Sequence, residues 1–151
     1  MYNVVLFQPE IPHNTGAIGR LVLATGARLH LIQPLGFSID DKAVKRAGLD
    51  YWKDVDVTVW GNWQEFETGR EKDKSLYMLT TKTKKAHFDS SFEKGDYLVF
   101  GPESRGLPEP LLEEYKEGAL TIPMVEGATR SLNLATAVAV VLYEGVRQGR
   151  I

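Results

Sequence analysis

Tyr97-Leu98-Val99-Phe100-Gly101-Pro102-Glu103-Ser104-Arg105-Gly106-Leu107-Pro108 is the stretch that decides the fold class of this chain. Four apolar residues suited to a buried strand run into a loop of glycine and charge, and a helix is expected from Pro108 to about Tyr115. Two more loops have the same character. Asn14-Thr15-Gly16-Ala17-Ile18-Gly19-Arg20 follows the apolar run Asn3 to Phe7, and Ile122-Pro123-Met124 runs on to Arg130-Ser131-Leu132-Asn133-Leu134 before a last, apolar helix. In a sheet with helices on its faces, ligands collect at the carboxyl ends of the strands. Three polar loops at strand ends therefore point to one composite site.

The rest of the chain alternates in the same way. After the first strand, Asn14 or Thr15 supplies an N-cap, and an apolar stripe of Ile18, Leu21, Val22 and Leu23 stops at Gly26. Strands are expected at Arg28 to Ile32, Val55 to Val59, Leu76 to Thr80 and Ala119 to Ile122. Helices are expected from Asp40 or Asp41 to Ala47, from Asn62 to Thr68, and from about Leu132 to Gln148. This alternation argues for an α/β fold, a mostly parallel sheet flanked by helices. The last helix is apolar around most of its circumference, which suggests that it buries a second face against another subunit, a homodimer; the alternative is a helix sandwiched within one chain.

Bulk properties bound the function. With 151 residues and 43% hydrophobic composition, the chain suits a single domain, residues 1–151. No basic segment followed by an apolar core opens it, so a cytoplasmic protein is expected. The run Leu134 to Tyr143 falls far short of the roughly 20 residues that span a membrane. Without cysteine there is no disulfide or thiolate chemistry, and the three histidines, His13, His30 and His87, have no paired ligand spacing, so no metal is expected. A net charge of -2 disfavours a surface that binds nucleic acid all over, although Lys82, Lys84 and Lys85 form one basic cluster and Lys42, Lys45, Arg46 and Lys53 another. Each cluster taken alone also reads as an ordinary solvated face.

Gly101 and Gly106 have the glycine spacing of a phosphate loop, but Leu107-Pro108 replaces the lysine and hydroxyl residue, so no nucleoside triphosphatase loop is present. No Gly-x-Gly-x-x-Gly follows the first strand either. What remains is a loop whose backbone a ligand can approach, with Glu103 and Arg105 beside it, or a plain turn. Arg20, flanked by apolar Ile18 and Leu21, reads as a partly enclosed guanidinium able to grip a phosphate, or as a surface residue. Ser131 reads as a ligand group or an N-cap. Asn133, just inside an apolar helix where asparagine is a poor former, invites a specific partner.

Together, in this order and over nearly the whole chain, the loops resemble the SPOUT superfamily of RNA methyltransferases. Pro9-Glu10-Ile11-Pro12-His13-Asn14-Thr15-Gly16, Arg46-Ala47-Gly48-Leu49-Asp50-Tyr51 and Gly101-Pro102-Glu103-Ser104-Arg105-Gly106-Leu107 look like the subfamily called TrmL or YibK, the tRNA wobble-nucleotide ribose 2'-O-methyltransferases. The resemblance implies a C-terminal deep trefoil knot, which general rules of chain topology disfavour. It implies S-adenosyl-L-methionine held by Leu79, Thr80, Gly101, Ile122, Met124 and Ser131. Arg20, Glu103, Ser131 and Asn133 match its catalytic or substrate-facing positions. Its partner would be a tRNA anticodon stem-loop, with Lys82, Lys84, Lys85, Arg105 and Arg130 as candidates for the RNA backbone. The competing readings are a non-catalytic RNA-binding or assembly module that keeps the cofactor fold, a methyltransferase for another RNA, and a small-molecule enzyme of the same sheet class.

Overall fold

The computed structural model describes residues 1–129 and 131–149. Six strands, β1 (Asn3–Phe7), β2 (Arg28–Ile32), β3 (Val57–Trp60), β4 (Leu76–Leu79), β5 (Tyr97–Phe100) and β6 (Ala119–Leu120), form one sheet in the order β3-β2-β1-β5-β4-β6. Every pairing is parallel. The helices are α1 (Pro12–Thr25), α2 (Lys42–Gly48), α3 (Trp63–Gly69), α4 (Glu109–Glu114) and α5 (Leu134–Gly149).

A parallel sheet needs cover on both faces. Successive side chains of β1 supply both cores: Val4 and Leu6 pack with Ile18 and Val22 of α1 and Val138 and Leu142 of α5. Val5 and Phe7 point the other way, toward Phe66 of α3 and Leu111 and Leu112 of α4. This two-sided burial is why β1 has no alternation of polar and apolar residues. The chain builds outward from β1 to β2 and β3, then crosses over and inserts β5 between β1 and β4. The order therefore reverses between β1 and β5, and the loops leaving these two strands meet there.

Most elements lie within a residue or two of the sequence expectation, with instructive differences. Helix α1 starts at Pro12, not at Asn14 or Thr15, because proline fits the first helical position and its missing N–H costs nothing there. Asn14 and Thr15 are consequently buried inside the first turn. Gly26 ends the helix in the left-handed region at φ 72°, as expected. The third strand is Val57–Trp60 instead of Val55 to Val59. The sixth stops at Leu120, continued only by a bridge between Thr121 and Ala86.

Helix α5 packs one face on the sheet and leaves a stripe of Thr136, Val140, Tyr143 and Arg147 exposed. Val140 and Tyr143 are 38% and 44% exposed, so nothing among the described residues covers this second face. Among the described residues no helix is long and apolar enough to cross a membrane.

Candidate active site

The loops after β4, β5 and β6, with the start of α5, enclose a cleft of about 740 Å³ at the carboxyl edge of the sheet. Leu79, Thr80, Gly101, Ile122, Met124 and Ser131, the residues expected to hold a cofactor, all line it. The wall is apolar at Phe100, Leu107, Leu134 and Ala137, and polar at Thr121 and Asn133. That combination suits a flat, partly apolar ligand fixed by a few polar contacts. A Cβ on Gly101 would lie 2.4 Å from the Gly106 carbonyl carbon and the Leu107 nitrogen. The loop folds back on itself too closely for any other residue, leaving backbone to face the cleft. Among the described residues no group of acids and histidines could hold a metal.

The loops after β1 and β5 clasp each other. Glu103 accepts from the Glu10 N–H at Oε1 (2.8 Å) and from the Ile11 N–H at Oε2 (2.9 Å). In return the Glu10 carboxylate accepts from the Ser104 N–H and Ser104 Oγ, both at 2.8 Å. These bonds, the backbone one foremost, hold the Glu10 carboxyl below its ordinary pKa, with help from Arg105 nearby. Because Ile11 at the N-cap of α1 has no capping side chain, the Glu103 carboxylate supplies negative charge at the positive end of that helix.

The clasp continues into the cleft. Asn14 Nδ2 donates to Glu103 Oε2 (3.2 Å), and Asn14 Oδ1 accepts from Asn133 Nδ2 (3.1 Å). Asn133 Oδ1 accepts from the Thr136 N–H (3.2 Å), so Asn133 caps α5 from just outside the helix rather than sitting within it. Asn133 thus supplies the cap that was one of the two readings of Ser131. A chain of hydrogen bonds thus runs Glu103–Asn14–Asn133 across all three loops, fixing the amide of Asn133 at the cleft. Asn14 and Glu10 were missed as site residues. Pro12 was the available signal for Asn14, since a helix beginning at that proline puts the asparagine inside the first turn, where it needs a partner.

Arg20 does not join this cluster. Its side chain is exposed on α1 and does not line the cleft. The expected partial enclosure fails because residues two apart on a helix point about 160° away from each other, so buried Ile18 says nothing of Arg20's surroundings. Lys82 reaches the cleft rim and pairs with Glu109, both ends exposed. Lys84 and Lys85 are exposed beyond the rim. Arg105, also on the rim, donates to Gln8 Oε1 (3.3 Å) and lies 3.9 Å from Glu10. Gln8 has a positive φ of 50°, uncommon for a residue other than glycine, where β1 turns toward the site. Arg130 lies outside the described residues.

A ligand cleft beside the switch point of a parallel sheet, walled by loop backbone, defines a ligand-binding α/β protein. The chain belongs to the SpoU rRNA Methylase family, whose model matches residues 1–143. It is 50% identical to the tRNA (cytidine(34)-2'-O)-methyltransferase of Saccharophagus degradans over 98% of this chain and 96% of that one. A solved structure described as giving insights into the 2-OH methylation of C/U34 on tRNA superposes with a TM-score of 0.94 at 45% identity, covering 99% of this chain and 98% of the other. The methyltransferase AviRb from Streptomyces viridochromogenes in complex with AdoMet superposes at 0.84 with 26% identity, covering 97% of this chain and 57% of the other.

Proposed function

We propose that this protein transfers a methyl group from S-adenosyl-L-methionine to the ribose 2'-oxygen of the wobble nucleotide, cytidine or modified uridine, in a tRNA anticodon stem-loop. The observation that carries the reading is the Glu103–Asn14–Asn133 chain at a backbone-walled cleft, in a chain so similar to proteins of that name. When bound, the cofactor supplies the electrophilic methyl, and the protein's work is geometry and charge. Leu79, Thr80, Gly101, Ile122, Met124 and Ser131 would hold it, their mixture of apolar wall and backbone fitting its size and character.

Asn133 touches the cleft and, locked at both ends of its amide, orients the ribose. Glu103 is a positioning residue: its carboxylate is engaged by Glu10, Ile11 and Asn14 and acts through Asn14 on Asn133. The ribose hydroxyl must lose its proton, and a guanidinium keeps its own at neutral pH. Arg20 is therefore assigned to the neighbouring phosphate and to the developing alkoxide, while a phosphate oxygen or water takes the proton.

Arg20 faces solvent in the single chain, and α1 and α5 lie side by side on one sheet face. A second copy seated on the exposed apolar stripe of α5 would let Arg20 of each chain complete the other's site, which supports a homodimer. The C-terminal trefoil knot belongs to this proposal through the likeness to the SpoU methyltransferases. We treat residues 1–151 as one methyltransferase domain, working in the cytoplasm with its tRNA. Labelled methyl is expected to pass from the cofactor into unmodified tRNA and not into small hydroxylated compounds. Binding of tRNA without incorporation, or competition by the small compounds, would favour the alternative readings.

A further inference from the structure

A second groove, of about 550 Å³, opens on the same edge of the sheet where Gln33-Pro34 leaves β2 and Gly61 leaves β3. Its apolar surface includes half-buried Phe37 and Val59, the latter 40% exposed, with the Gln33 amide and Ser38 hydroxyl at its margin. It adjoins the loop that follows β1. The Gly36 N–H donates to Pro9 O (2.9 Å), and a Cβ on Gly36 would lie 2.8 Å from Glu10 Cα and O. Glu10 is the residue that clasps Ser104 at the cleft, so this contact links groove and cleft. Beyond the groove the chain enters α2, which presents Lys42, Lys45 and Arg46 to solvent, none paired with a carboxylate among the described residues. The methyl-transfer reading leaves that cluster without a role.

We propose that the groove receives the base of an unpaired nucleotide in the same loop as the one methylated, and that Lys42, Lys45 and Arg46 neutralise the phosphates of the same strand. The proposal rests on an RNA strand being the substrate. An aromatic ring with an amide and a hydroxyl at its margin matches a nucleobase, which offers a stacking face and a hydrogen-bonding edge. Cations immediately beside such a slot match the strand's backbone. A nearby nucleotide of the same loop is the occupant because β2 and β3 lie two and three strands from β5, whose loop walls the cleft, roughly 10 to 14 Å along the sheet.

The test is binding of an anticodon stem-loop RNA by fluorescence anisotropy, with each loop nucleotide made abasic in turn, for the wild type, Phe37→Ala and Val59→Glu. One abasic loop position other than the target should weaken wild-type binding about fivefold or more and weaken neither variant further. The triple variant Lys42→Glu, Lys45→Glu, Arg46→Glu should bind more weakly and with a shallower salt dependence. Equal responses of wild type and both variants at every abasic position would overturn the base-binding role, and an unchanged salt dependence would overturn the phosphate role. Methyl transfer to the same RNA is read separately, so a protein that binds as described but transfers no methyl contradicts the function and not the groove.

Discussion

Glu103 shows how a carboxylate serves a reaction without touching it. Replacing it by glutamine turns one acceptor oxygen into an amide donor facing backbone N–H groups, so the clasp between the loops should open. Displacement of the Asn133 amide by about 1 Å costs roughly 100-fold in rate. Glu103→Gln should therefore lose about that factor in kcat while cofactor binding is largely kept; normal kcat would remove Glu103 from the positioning chain. At Arg20, lysine and alanine variants separate charge from geometry. Near-normal rate in Arg20→Lys would mean that electrostatics alone suffice, whereas the bidentate role predicts a loss in both variants. The chemistry of these residues was legible in the sequence, but their partners were not. Asn14 and Glu103 stand 89 positions apart, and nothing local to either announces the other. Arg20 misled because buried Ile18, two residues before it, lies on nearly the opposite side of the helix.

At the scale of the element, α1 and α5 are where local signals met tertiary demands. Thr15 is fully buried in the first turn of α1, and its hydroxyl has no hydrogen-bond partner among the described residues. Thr15→Val keeps the shape and removes that group, so it should leave the melting temperature unchanged or raise it, by up to about 1 kcal/mol in stability. A clear drop would mean that the hydroxyl has a partner. The apolar stripe of α5 was legible as excess hydrophobicity, but which side of the helix it occupied was not. Val140→Asp combined with Tyr143→Asp should convert a dimer into a monomer in analytical ultracentrifugation and lower methyl transfer with it. A wild-type chain that sediments as a monomer at micromolar concentration would contradict the dimer. In the loop after β5, Gly101→Ala forces backbone apart and should abolish cofactor binding by calorimetry; retained binding would mean that the loop is not the cradle.

Over the whole molecule, a mostly parallel sheet was legible because strand-like runs alternate with helical stripes along the chain. The order of the strands was not legible, since it depends on where β5 inserts. That insertion brings together the loops on which the function rests. A buried polar cluster beside the sheet carries a pH dependence. His30 accepts from Trp60 Nε1 at Nδ1 (3.0 Å) and donates from Nε2 to Asn3 Oδ1 (2.9 Å), which fixes the neutral ring. Burial lowers its pKa from 6.5 to about 4, with a smaller upward effect from Asp56 and a smaller downward one from Arg28. The unfolded chain takes up the proton first as pH falls, so this stability is complete above pH 6.5 and is lost toward pH 4, up to roughly 3 kcal/mol. His30→Gln should flatten urea-derived stability across that window; an unchanged pH profile would mean that the imidazole titrates normally. The central claim is a position as well as a reaction. Mapping ribose 2'-O-methyl groups in tRNA from cells with and without the gene should show a mark lost at the wobble nucleotide alone, and an unchanged wobble nucleotide or a mark lost elsewhere would contradict the account.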